Sequence, residues 1–538
     1  MTHTMTLTVP TKPHFAQRAR VQSLDEYAAL YRRSTEDPVG FWGDQARSLV
    51  WSTTPAQVRT QHPVGEVTWF DGGALNVAVN CVDRHAAVAP DHTAIVWARN
   101  EPGEYEFVSY AELQLSVARI ANLLLEYGIR PGDRVLIHLP TMPEQVASML
   151  ACARIGAVHV LVAAGFGPDA LTARLQDSGA RVVITANEAP RGGRVVPLKR
   201  HVDQALEHDT AVERVVVVQR TAVDVPLVDG RDEWLHEALP RHRACAPAAA
   251  MPSEAPLFIT YDVDDAGELR GVVHTTAGYL AYAAVTQRYV LDTRPDDIQF
   301  CTEEVAWITG TTYGVYGPLC NGITTVLSEG PLAWPDATRA LEIIDATGAT
   351  VWYAAPAALR AMQDMGAPAA RTWTQDSLRL VATWGEPLKP ELWRFVHDVI
   401  CDRRCPVIET WHPAESGGVL LAPLPGAIAH KPGSPAVPFF GVQPSLVDVH
   451  GERLRERNRE GILCLVGSWP GQARTWHRQH ARFVDRYFTP VPSAFCTGRA
   501  CSRDDDGYYW LGAATTPPGP RVCDLGSTRT PATMTTVG

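Results

Sequence analysis

Residues 133–162 read DRVLIHLPTMPEQVASMLACARIGAVHVLV, and the reading of this stretch decides the fold class. Short apolar runs over 135–139 and 157–162 read as strands, and 143–154 between them reads as a helix. The apolar character is strongest over 146–166, but Arg154 and His159 interrupt it and Gly156 punctuates it, so it is buried helix and strand and not a membrane span. Upstream, Ser109 and Glu112 make a capping box, Leu113, Val117, Ile120 and Leu124 share one helical face, and Gly128 closes that helix. Downstream, a helix over 169–178 leads to strands over 182–185 and 215–218. Near-continuous apolar strands separated by amphipathic helices predict a parallel sheet covered on both faces.

The rhythm returns between about 324 and 410, with strands over 324–327, 351–354, 378–382 and 407–410. From 418 to 488 the helical period fades, Gly and Pro rise, and short runs such as 462–466 indicate a β subdomain that continues to 512. The fold class is therefore α/β, with two doubly wound α/β subdomains over about 70–410 and a smaller mainly β subdomain. Residues 1–23 read as an N-terminal extension to a large domain over 24–512, and the Thr- and Pro-rich 513–538 as a disordered tail.

Composition narrows the partners. The chain of 538 residues is 46% hydrophobic and 20% charged, which excludes collagenous, coiled-coil and wholly disordered classes. A formal charge of −11 supplies no field to gather nucleic acid or an anionic membrane, and neither is expected as a partner. The first twenty residues lack the apolar core of a secretory signal, and the odd count of 11 cysteines fits reduced thiols, so a cytoplasmic protein is expected. The close pairs Cys401 with Cys405 and Cys496 with Cys501 do not have zinc-knuckle spacing.

Several strings point further: LNVAVNCVDRH from Leu75, MLACARIGAVH from Met149, VVHTTAGYL from Val272, YGPLCNGITT from Tyr316, PFFGVQPSLVD from Pro438, SWPGQART from Ser468 and RDDDGYYW from Arg503. Together they resemble the large N-terminal domain of AMP-forming acetyl-CoA synthetases, members of the acyl-adenylating superfamily, over about 24–512. The resemblance implies joining acetate to ATP and passing the acetyl group to CoA. It also carries site residues onto this chain. Gly385, Glu386 and Pro387 match the GEP of the adenine shelf, with Thr410 and Trp411 beside it, and Glu415 matches a glutamate that serves the metal. Trp307, Ile308, Thr309, Trp384 and His412 fall around the acid pocket, where Trp384 replaces a valine and His412 a tryptophan. Arg191 and Arg194 fall on two arginines of a CoA-binding segment, so CoA is a chemically reasonable ligand; the pair reads equally well as solvated charges beside a Gly-Gly turn.

The chain also departs from the family pattern. The phosphate loop, YTSGSTGKPKG in the family, reads YDVDDAGELRG over 261–271. Its hydroxyls are gone, Asp262, Asp264, Asp265 and Glu268 are added, and Arg270 is the one cation. A carboxylate about 5 Å from a phosphate oxygen costs about 3 kcal/mol at an effective dielectric near 20. Arg499 stands where the family has a ribose-binding Asp, Ala414 where it has a threonine and Ala514 where it has an arginine. The family's small C-terminal domain, with its catalytic lysine, is not expected in a chain that ends at Gly538. These departures predict no catalytic residues, no use of ATP or Mg2+, and a scaffold or regulatory pseudoenzyme whose protein partner is an intact relative or an enzyme of acyl metabolism. Two alternatives stand beside it: an enzyme of changed chemistry handling an acyl-CoA or acyl-adenylate, completed by a separate C-terminal domain, and a residual acetate–CoA ligase.

Overall fold

Local signals place the first long helix. The Ser109 hydroxyl accepts from the Glu112 amide and the Glu112 carboxylate accepts from the Ser109 amide, so the box caps a helix over Tyr110–Glu126. The next helix, Pro143–Ile155, starts on a proline that has no amide to leave unsatisfied and stops at Gly156, whose φ of 78° is left-handed. A Cβ at Gly156 would lie 2.3 Å from the Met251 sulfur, so only glycine serves both the turn and the packing. The computed structural model describes residues 7–62, 67–264, 267–370, 372–492 and 494–515.

Two large sheets carry the fold. The first has eight strands in the order Asp232–Trp234, Arg214–Val218, Val182–Ala186, Arg134–His138, Val158–Leu161, Pro256–Val263, Leu269–Thr275 and Thr475–Trp476. The first six run parallel, and the last two pair antiparallel. The second has seven strands in the order Val407–Glu409, Leu380–Thr383, Val351–Ala354, Ile298–Cys301, Thr324–Ser328, Thr93–Ala98 and Tyr105–Ser109, all parallel except the final pair. Both doubly wound layers are thus present, but the chain starts the second sheet with its 93–109 hairpin before it builds the first.

The smaller sheet is antiparallel and joins Gln443–Val447, Gly461–Val466, Ala494–Arg503 and Tyr509–Ala514. The last strand includes Ala513 and Ala514, which the sequence reading placed in the tail. Their backbone pairs with the preceding strand, Arg499 facing Ala514, and the Thr515 amide donates to the Gly498 carbonyl, so ladder bonds hold them where side chains bury little. Residues 516–538 lie outside the described residues. Residues of the N-terminal extension also pack: Val9 bridges to His430 and Phe15 is buried. Among the described residues, no helix is long and apolar enough to cross a membrane.

Candidate active site

The candidate site lies where parallel strands of the second sheet end, facing the hairpin of the first sheet. Ligands in open α/β sheets bind beyond the carboxyl ends of the strands. Glu303 follows Ile298–Cys301, Trp384 and Gly385 follow Leu380–Thr383, and Thr410, Trp411 and His412 follow Val407–Glu409. Between these ends and the hairpin is a cavity of about 290 Å3 lined by Thr260, Tyr261, Asp262, Glu303, Trp307, Ile308, Thr309 and Ala414.

Of the residues read around the acid pocket, Trp307, Ile308 and Thr309 line this cavity; Trp384 and His412 do not, and reach it through Glu303 and Thr309. Thr309 Oγ1 and His412 Nε2 are 3.1 Å apart, and the His412 ring meets the edge of Tyr313 at 5.8 Å. His412 is half-buried, its Nδ1 has no partner, and desolvation pushes the imidazole down to about 4, so it is neutral near pH 7. Trp384 packs on Tyr353 with ring centres 4.8 Å apart, and its indole N–H donates to Glu303 Oε2 at 3.2 Å. Trp307 stands at the mouth against Phe166. Directly after Thr309 the chain enters a wide helical turn over Gly310–Tyr316, and a Cβ at Gly310 would lie 2.1 Å from the Glu304 carbonyl oxygen, so glycine is what lets this turn close onto the Glu304 segment.

The loop over 261–271 is the turn of the hairpin, with Tyr261 opposite Gly271, Asp262 opposite Arg270 and Val263 opposite Leu269. Two of its carboxylates are paired. Arg270 donates to Asp262 at 2.9 Å, and Arg482, from the helix His480–Tyr487, donates to Asp264 at 3.0 Å. Arg270 also lies over the Trp476 ring and feels the charge of Glu415, which holds its guanidinium cationic. Asp265 lies outside the described residues. The single cation counted from the loop sequence therefore understates the local positive charge, because Arg482 is distant in sequence and adjacent in space.

Glu415 is buried behind the hairpin, where the Tyr487 hydroxyl donates to it and the Ala473 amide donates to its backbone carbonyl. His274, on the hairpin's second strand, is 3.0 Å from the Ala414 carbonyl and ties this turn to the hairpin. Gly385 has a φ of 89°, Glu386 is exposed and pairs with Arg360, and Thr410 and Trp411 are buried beneath, with Tyr353 and Thr410 hydroxyls 2.5 Å apart. Arg191 and Arg194 face each other across a two-glycine turn; Arg191 pairs with Glu304 at 2.5 Å and Arg194 is exposed. Arg499 is on the small sheet, with its guanidinium 3.5 Å from the Gly512 carbonyl. No cluster of three or more His, Cys, Asp or Glu side chains able to hold a metal occurs among the described residues.

Glu303, Glu304 and Arg482 were not found from sequence. Glu303 and Glu304 lie close before Trp307 in the sequence, but the strand Ile298–Cys301 that sets them at the site was not read; Arg482 had no signal.

Comparison with known proteins fits this arrangement. Residues 82–475 match the family model of AMP-binding enzymes, and residues 27–81 match the model of the acetyl-coenzyme A synthetase N-terminus. The chain belongs to the AMP-binding enzyme family, within its acetyl-CoA synthetase branch. Acetyl-coenzyme A synthetase 2 of Pseudomonas aeruginosa is 45% identical over 508 residues, 93% of this chain and 78% of the relative. Acetyl-coenzyme A synthetase of Aeromonas salmonicida is 44% identical over 506 residues, again 93% and 78%. Among solved structures, acetoacetyl-CoA synthetase from Streptomyces lividans superposes with a TM-score of 0.88 over 95% of this chain and 80% of that one; at 24% identity this bears on the fold.

This kinship overturns two expectations. A scaffold pseudoenzyme is contradicted by identity of this level spread along nearly the whole chain with acetyl-CoA synthetases, and the expectation that ATP and Mg2+ are not used goes with it. The physical error was to treat the loop carboxylates as unpaired: Asp262 and Asp264 each have an arginine within 3.0 Å or less, so their repulsion of a phosphate is largely cancelled.

Proposed function

We propose that the protein is an acetate–CoA ligase of the acetyl-CoA synthetase type. An acetate oxygen attacks the α-phosphorus of ATP and pyrophosphate leaves; the CoA thiol then attacks the acetyl carbonyl and AMP leaves. The observation that carries this reading is the 45% identity over 93% of the chain to a protein of that name, with a cavity at the strand ends lined by Trp307, Ile308 and Thr309.

In this reading Gly385, Glu386 and Pro387, with Thr410 and Trp411, receive the adenine. Trp307, Ile308, Thr309, Trp384 and His412 enclose the acyl group. Arg270 and Arg482 supply the positive charge that two anions meeting at phosphorus require. Neutral His412, held to Thr309, positions that hydroxyl and carries no charge into the pocket. Mg2+ enters as part of MgATP, since hard cations take few protein carboxylates when phosphates supply the other oxygens, and Glu415 is the buried carboxylate placed to help. Arg191 and Arg194 are assigned to the 3′-phosphate of CoA, which makes CoA exchange with Glu304 for Arg191. The test is incubation with acetate, MgATP and CoA. Equal amounts of acetyl-CoA and AMP, both dependent on acetate, are expected; no acetyl-CoA from folded protein would overturn the proposal.

A further inference from the structure

The acid-side cavity has an unusual charge balance for a pocket that receives an anion. Its wall carries two carboxylates, Asp262 and Glu303, and no cationic side chain. Asp262 is answered by Arg270 on the facing strand. Glu303 has no ion pair among the described residues, and the Arg191 guanidinium is engaged by the adjacent Glu304. Glu303 Oε2 accepts from Trp384 and Oε1 accepts weakly from the Glu304 amide at 3.3 Å, which fixes the carboxylate in the cavity and leaves each oxygen a free lone pair. The Trp384 indole thus orients the acid that lines the cavity.

Resting on the ligase reading above, we propose that Glu303 is a specificity-determining residue that admits, beside acetate, a short carboxylic acid with an ammonium group on its chain. The ammonium would take the charge-assisted bond to Glu303 while Trp384 holds the opposite oxygen, and a cavity of about 290 Å3 has room for such an acid. An alkyl acid of equal length would put a methyl group against the half-buried Glu303, so the ionised carboxylate would lose solvent without gaining a cation.

Burial pushes the Glu303 carboxyl up to about 7, with the neighbouring Glu304 charge adding to it and the Trp384 and Glu304 hydrogen bonds opposing it. The other groups facing it are Cys301, whose thiol burial also pushes up, and Asp262 across the cavity. An ammonium ligand requires the ionised carboxylate, so its affinity should rise between pH 6 and pH 8, whereas acetate should not gain over that range.

The test compares β-alanine with butyrate, in which a methyl group replaces the ammonium, in ATP–pyrophosphate exchange and in calorimetric binding to the whole protein with MgATP. For the wild type, kcat/KM for β-alanine should exceed that for butyrate by about tenfold or more, and in Glu303→Gln the ratio should fall below one. Butyrate equal to or better than β-alanine in the wild type overturns the proposal, as does a ratio that Glu303→Gln leaves unchanged. The wild-type comparison stands even where the variant does not fold. Acetate exchange without β-alanine preference overturns this inference and leaves the ligase reading intact; exchange with no acid overturns the ligase reading, and absence of β-alanine heat then overturns this one separately.

Discussion

Burial sets the protonation of individual residues before any ligand arrives. His138, His159 and His274 are fully enclosed, and desolvation pushes their imidazoles down to about 4, 3 and 3 respectively. A base whose native pKa is depressed binds its proton more readily in the unfolded chain, so stability is full above the unfolded value near 6.5 and is lost as pH falls below it. Each histidine should cost about 2 kcal/mol between pH 6.5 and pH 5. A melting temperature that falls steeply on acidification from pH 7 to pH 5 is expected, and a flat profile would show these rings to be protonated in the native state. Trp384 offers a second test at this scale. In the proposed ligase, replacing it with valine should make room for a longer acyl group and removes the indole donor from Glu303. The propionate-to-acetate ratio of kcat/KM should rise about tenfold or more, the discrimination an apolar pocket can give per methylene.

Secondary-structure elements were legible where local chemistry decides them. The capping box at Ser109 and the valine strand at 215–218 follow from short sequence signals, and each formed as read. The hairpin Pro256–Val263 and Leu269–Thr275 was read only as a loop, because its register depends on cross-strand pairing that periodicity does not report. Its charge state was misjudged for the same reason: Arg482 reaches Asp264 from a helix 218 residues away. Arg482→Ala should remove one positive charge from beside Asp264 at the hairpin tip. The KM for MgATP should rise about tenfold, the equivalent of one charge-assisted contact, and amide exchange over 261–271 should quicken. An unchanged KM would remove Arg482 from the phosphate site. In the scaffold, Gly156→Ala must place a Cβ against Met251 at a left-handed φ, so a loss of about 2 kcal/mol in denaturant titration is expected.

At the scale of the whole molecule, the doubly wound α/β class and the smaller β sheet were legible, because parallel strands buried on both faces leave apolar runs that a single sequence displays. The weaving of 93–109 into the second sheet was not, since strand order is set by contacts between distant segments. Function was the hardest to judge: counting lost motif letters suggested an inert scaffold, while identity spread over the whole chain and arginines brought in by the fold favour an acting ligase. Acetate-dependent ATP–pyrophosphate exchange isolates the step on which that view depends, because it needs MgATP, acetate and the hairpin together and does not need CoA. The account predicts exchange that requires both acetate and Mg2+ and weakens in Arg482→Ala; folded protein with no exchange above the acetate-free background would contradict it.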